Sequence, residues 1–328
     1  MPNLTKEEIR DLKITDFIFH VVHHGEPAPI LLDQAPIGLF HDFFVARVVD
    51  TLKGNRYSFM PESLTLAELT AVQTNPTQFV KASKTLAIQI HSRDQRVKRG
   101  VLIVMMLTSG ARKFFSLIKY DHERVVSFTV TDAQAILQDV VNSFTESPKS
   151  LQKSALIELS GMTGELAVID RNMRSGISTF FEDFLGVQRS RLESDLTAEV
   201  VKAVLKTVQL HQAELPNEIT TRVSPRVRTI ATKRKIFDVD EFFSDFFGAE
   251  GSDAIRRTFD EQLEKRQLSG EAFNYDEKSL PEDAPRRFKT AEGITLMVPD
   301  LAKGTFKIEH TKDGFQTITI KTPRVVEQ

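Results

Sequence analysis

The chain of 328 residues contains no cysteine, which excludes disulfides, thiolate metal sites and cysteine nucleophiles together and fits a reducing compartment. Tryptophan is also absent, and 3 tyrosines stand against 24 phenylalanines. The aromatic content is therefore apolar filling more than amphipathic interface chemistry. Long apolar runs are lacking: the longest, Val101–Leu107, is far too short to cross a bilayer and reads as a buried strand. The first residues, Met1–Lys13, are charged and have no apolar stretch of a secretory signal. A soluble, cytoplasmic protein with no membrane segment is expected. Charge of one sign is missing too, because the formal net charge is -2. A chain that binds nucleic acid through uniform positive charge would be strongly basic, so any such contact must come from segregated patches.

Apolar alternation predicts a strand over Ile14–Val22, a turn at Gly25–Pro27 and a second strand starting at Ile30–Leu32. Helical spacing follows over Gly38–Leu52, and again from Pro76, where Phe79, Ala82, Leu86 and Ile90 form one stripe. Val101–Leu107, Lys113–Tyr120 and Val125–Val130, separated by short polar turns, predict a meander of antiparallel hairpins, followed by a helix over Asp132–Phe144. Strands are expected at Ala155–Leu159 and Leu166–Asp170, and helices at Ile177–Leu185, Leu196–Val208, Val239–Phe247 and Ala254–Leu268. The last residues return to strands at Ile294–Val298, Thr305–Glu309 and Thr317–Lys321. This order argues for an α+β fold. The expected organisation is a mixed sheet-and-helix domain over residues 1–188, a helical segment with a basic loop and an acidic stretch over 189–285, and a small β module over 286–328.

Charge is segregated locally. Arg222, Arg226, Arg228, Lys233, Arg234 and Lys235 occur with no acidic residue between them, and Asp238, Asp240, Glu241 and Asp245 follow at once. The acidic stretch continues through Glu271, Asp276, Glu277, Glu282 and Asp283. Two further basic clusters are Arg286, Arg287 and Lys289 before the terminal strands, and Arg93, Arg96, Lys98 and Arg99 before the apolar strand. These cations are the candidate DNA-binding residues, since Arg forks and Lys heads bind backbone oxygens without reading sequence. The other reading is a solvated run whose charges pair with the neighbouring acids.

Catalytic motifs are lacking. There is no phosphate loop, dinucleotide fingerprint or nucleophile elbow, so no cofactor and no catalytic residue are assigned and the protein is read as no enzyme. His20, His23, His24 and His41 lack a converging carboxylate set, and no metal is expected there. Phe180–Gly186 is echoed by Phe242–Gly248. Two helix ends closing on glycine account for the echo, and a dimer-forming element is the alternative.

The segment Arg171–Gly186, a basic turn leading into a helix that ends Phe-Phe-Glu-Asp-Phe-Leu-Gly, resembles the central signature of the NdpA/YejK family of bacterial nucleoid-associated proteins. Phe17–His20, the Lys53–Tyr57 turn, Leu166–Asp170 and the closing strands Gly293–Leu296 and Thr317–Pro323 are similar to family features in the same order. The resemblance implies association with the nucleoid, binding of double- or single-stranded DNA, and no catalysis. It supplies no residue-level DNA site. The alternative is an adaptor that reaches DNA only through a DNA-handling protein partner. A homodimer is expected from the supply of phenylalanine.

Overall fold

The computed structural model describes residues 4–93, 99–121, 125–131, 134–140, 151–161, 163–281, 286–298, 305–311 and 314–322. Two compact units emerge, one of residues 1–191 together with Gly270–Ala272, the other of Leu192–Ser269 and residues 273–328. The fold is α+β.

The first unit contains α1 (Lys6–Arg10), β1 (Lys13–Val22), α2 (His41–Thr51), β2 (Asn55–Phe59), α3 (Leu64–Thr74), α4 (Phe79–Arg93), β3 (Gly100–Ser109) and β4 (Arg112–Asp121). It continues through β5 (Val125–Thr131), β6 (Gln134–Val140), β7 (Leu151–Ser160), β8 (Thr163–Asp170), α5 (Thr179–Leu185) and β9 (Val187–Arg189). Seven of the strands form one antiparallel sheet in the order β1-β3-β4-β7-β8-β2-β9. Strand alternation gives this sheet two apolar faces. One buries Ile18, Leu102, Leu117 and Ile157 against Leu69 of α3, Leu86 and Ile90 of α4 and Phe181 of α5. The other buries Phe17, Ile103, Ile118 and Leu156 against Phe44 and Val48 of α2. Helices on both faces explain why the strands read as nearly continuous apolar runs.

Three expectations change here. Residues 134–140 are not helical: β6 pairs with β5 from Val125↔Val140 to Thr131↔Gln134. The β-branched run of β5 offers cross-strand partners that outweigh a weak helical pattern. This hairpin stands apart from the main sheet, so the meander stops at β4, whose other neighbour is β7. The second strand expected at Ile30 is a single bridge to Val21.

His20, His23 and His41 serve as hydrogen-bond connectors. Leu32 N–H donates to His20 Nδ1 at 3.1 Å, so His20 Nε2–H faces Ser83 Oγ, also at 3.1 Å. Burial pushes the His20 imidazole down to about 4, with Lys84 adding to the effect. His23 has left the strand (φ 55) and donates its backbone N–H to His91 Nδ1 at 3.0 Å. His41 Nε2 accepts the Ile14 N–H at 3.3 Å. His24 is half-buried. Among the described residues no three His, Asp or Glu side chains are grouped as a metal ion would require.

The second unit holds α6 (Glu193–Leu210), α7 (Asn217–Thr220), α8 (Val223–Arg234), β10 (Ile236–Phe237), α9 (Val239–Phe247), α10 (Asp253–Lys265) and β11 (Phe273–Asn274). Its core joins Val200, Val204, Val227 and Ile230 to the phenylalanines at 237, 242, 246, 247, 259 and 273. Two hairpins follow, β12 (Arg286–Lys289) with β13 (Thr295–Val298), and β14 (Phe306–His310) with β15 (Gln316–Ile320).

The echoed Phe-rich segments are α5 and α9, ending at Gly186 (φ 64) and Gly248 (φ 55). At Gly186 a Cβ would lie 2.7 Å from Ser63 Oγ, so both the left-handed backbone and the close approach require glycine. Phe181, Phe184, Phe242, Phe246 and Phe247 are buried. Phe180 and Phe243 of the same segments are half-buried.

Candidate nucleic-acid interface

The basic run after Thr220 is α8, not a loop. Val223, Val227, Ile230 and Ala231 repeat at helical spacing and enter the core, which fixes the helix despite its Thr- and Val-rich composition. Pro225 sits in the first turn, where its missing N–H removes no helical hydrogen bond. Burial of that stripe turns Arg222, Arg226, Thr229 and Lys233 onto one outward side, at steps of four, three and four residues.

The six cations do not share one environment. Arg222, beside the helix start, and Lys233, in its last turn, are exposed, and among the described residues neither forms an ion pair. Arg226 is half-buried, donates from Nη2 to the Asp245 carbonyl oxygen at 3.2 Å and covers the Phe246 ring at 5.5 Å. Arg228 donates to the Pro281 carbonyl oxygen at 3.2 Å. Arg234 is gripped bidentately by Asp245 (Nε–Oδ2 2.6 Å, Nη2–Oδ1 3.0 Å) and reaches Glu241 at 3.1 Å. That ion pair raises the Arg234 pKa and lowers that of Asp245. Lys235 lies 3.5 Å from Glu277 with both side chains exposed.

Two open depressions flank the outward side of α8. One, of about 640 Å³, is bordered by Arg222, Arg226, Thr229, Lys233, Glu218 and Asp245. The other, of about 530 Å³, is bordered by Arg228, Thr229, Thr232, Lys233 and Glu277. Thr229 and Lys233 belong to both, and the Thr229 hydroxyl donates to the Pro225 carbonyl oxygen at 2.9 Å, so Lys233 is the cation shared by the two depressions along this strip. Thr229, Thr232 and the Asp245 clamp escaped the charge count. The helical period of Arg222, Arg226, Thr229 and Lys233 could have revealed the strip.

The other two clusters lie elsewhere in the chain. Arg93 closes α4 and Arg99 is exposed just before β3, both in the first unit, while Arg96 and Lys98 lie outside the described residues. Arg286 and Arg287 stand on β12 opposite Val298 and Met297, and Lys289 on the same strand is exposed.

The acidic stretch divides as well. Glu271 is buried in the first unit, where it accepts the Arg56 backbone N–H at 3.0 Å and lies 3.3 Å from Arg189. Burial raises its pKa, and Arg189 and Arg56 oppose that rise. It is no surface shield. Asp276 accepts from the Ser279 N–H and hydroxyl at 2.9 and 2.6 Å, and Glu277 is exposed. Glu282 and Asp283 lie outside the described residues.

Residues 42–321 match the family described as nucleoid-associated protein YejK. The chain belongs to that family. The match runs from α2 to just beyond β15 and takes in both the sheet of the first unit and α8. No curated protein matches the chain. A nucleoid-associated role follows from the membership, and among the described residues no helix is long and apolar enough to cross a membrane.

Proposed function

We propose that this nucleoid-associated protein binds DNA without catalysis, through backbone phosphates and largely without regard to sequence. The observation that carries the reading is the outward strip of α8, where Arg222 and Lys233 are exposed and form no ion pair among the described residues, with the exposed Thr232 beside Lys233. Arg and Lys neutralise phosphate and release counterions, while the Thr232 hydroxyl donates to the same oxygens; the Thr229 hydroxyl is committed to the Pro225 carbonyl oxygen. Arg226, Arg228 and Arg234 already serve protein acceptors, so they shape the strip more than they supply free charge. This division explains how a chain of net charge -2 can hold a DNA-binding surface.

The test is the salt dependence of affinity for a fluorescent duplex. Replacing Arg222 and Lys233 together with Gln should flatten the slope of log K against log salt by about 1.8, about 0.9 per lost phosphate contact. The loss should be the same for unrelated sequences. A variant with the parent's slope would remove α8 as the interface. Cleavage of supercoiled plasmid by metal-supplemented protein would remove the non-catalytic part of the reading.

A further inference from the structure

The turn between β8 and α5 carries the family resemblance, and the α8 reading makes no use of it. Four consecutive residues of this turn, Arg171, Asn172, Met173 and Arg174, are exposed. Such a turn would ordinarily be a loose connection, but this one is tied down from beneath. Asp170, at the end of β8, has a carboxylate wholly out of solvent. Its Oδ1 accepts the Asn172 N–H at 3.1 Å, and its Oδ2 accepts the Ser178 N–H at 2.9 Å and faces Lys153 Nζ at 2.5 Å. The Asp170 carbonyl oxygen accepts the Met173 N–H at 3.0 Å. Farther along, Asn55 donates to the Gly176 carbonyl oxygen at 3.4 Å, and Gly176 takes a left-handed φ of 69°.

The partner of Asp170 is equally deep. Lys153 is buried on β7, with Lys119, also buried, opposite it on β4. Withdrawing a lysine and an aspartate from water costs several kcal/mol each, and an apolar pair of the same shape is often no less stabilising. Stability alone therefore gives little reason for the pair at this place. Its geometric effect is specific: it fixes the two ends of a turn whose outer side shows two guanidiniums. Arginines on a fixed backbone lose less freedom on meeting a planar oxyanion than arginines on a loose one.

We propose that the Arg171–Arg174 turn is a second DNA contact, in which the two guanidiniums bind backbone phosphates and Asp170 acts as the positioning residue. The inference rests on the DNA-binding reading above but on different residues. It is tested on the full chain by titrating Arg171→Gln/Arg174→Gln protein against a labelled duplex of about 30 base pairs, between about 50 and 200 mM salt. The slope should flatten by about 1.8, and affinity near 0.1 M salt should fall about 60-fold. Interactions of exposed side chains contribute little to stability, so the melting temperature should move little. Asp170→Asn leaves Lys153 buried without its partner and should lower the melting temperature under either role; a positioning role also flattens the slope of the folded protein although both arginines remain, whereas a merely structural role leaves that slope unchanged. Parent-like slope and affinity in the double arginine variant would overturn the proposal, while the α8 variant remains impaired. A parent protein that binds no DNA at any salt would instead overturn the α8 reading first, so the two failures are distinguishable.

Discussion

In the first unit the decisive charges lie out of water: Asp170 against Lys153, and Glu271 beside Arg189 with the Arg56 backbone bound to it. In the second unit the same residue types stay near the surface. Arg234 with Asp245, Lys235 with Glu277 and Arg256 with Asp260 decorate helices whose cores are almost wholly apolar. Burial makes a charge a structural obligation, because removing its partner strands an ion in a poorly polarisable medium. Exposure leaves it available to a ligand and nearly irrelevant to stability. Counting charges along a chain therefore says little about how many are free.

The largest effect should come from Glu271→Lys. It would place a third cation beside Arg189 and Arg56, and a loss of at least about 4 kcal/mol, or failure to fold, is expected in urea unfolding followed by circular dichroism. A variant as stable as the parent would break the contrast between the units.

An intermediate effect belongs to His20. Its imidazole titrates near 4 in the folded chain against about 6.5 in the unfolded one. The unfolded state then binds more protons between those values, so the stability that His20 contributes is present above about 6.5 and is lost as the pH falls toward 4. The loss amounts to about 3 kcal/mol. Glu271, with its raised pKa, acts in the opposite sense, so the comparison must be made against His20→Asn protein, which retains Glu271. The parent should lose more stability than the variant between pH 7 and pH 4.5, and equal losses would contradict the neutral buried imidazole.

Least of all is expected at Glu277. Its pair with Lys235 is exposed on both sides, and Glu277→Lys should change stability by less than about 0.5 kcal/mol. A shift of the unfolding midpoint equivalent to more than 1.5 times that value would show that the second unit, too, depends on individual ion pairs.

Much of the fold was legible from local pattern. The apolar runs at 101–107 and 113–120 and the stripe at Phe79, Ala82, Leu86 and Ile90 announce β3, β4 and α4, because each buries a face whose period is visible in the residues themselves. Residues 134–140 misled because they satisfy a weak helical pattern, and only the hairpin partner at 125–131 decides between the two states. The α8 segment misled for the opposite reason. Its basic residues drew attention from the Val223, Val227 and Ile230 stripe that makes it a helix. As for the interface, the cationic residues were identifiable by type, but not which of them are already engaged. Arg226 and Arg234 are held by Asp245, 19 and 11 residues away, and no local spacing announces such a partner.

One short stretch governs where the polypeptide can be divided. After leaving the first unit at Arg191 the chain comes back to it for Gly270–Ala272, then departs again. There the Ala272 N–H donates to Asn55 Oδ1 at 2.7 Å, and a Cβ on Gly270 would lie 2.4 Å from the Lys53 carbonyl oxygen. A recombinant piece ending at residue 191 would look complete by its strands, yet it would be missing the carboxylate that neutralises Arg189 and the acceptor for the Arg56 amide. Conversely, a protease nick within 192–269 would leave each fragment carrying part of the first unit's structure. The chain is sewn with a return stitch, so a single cut at residue 191 should leave the second unit's core whole and the first unit without Glu271.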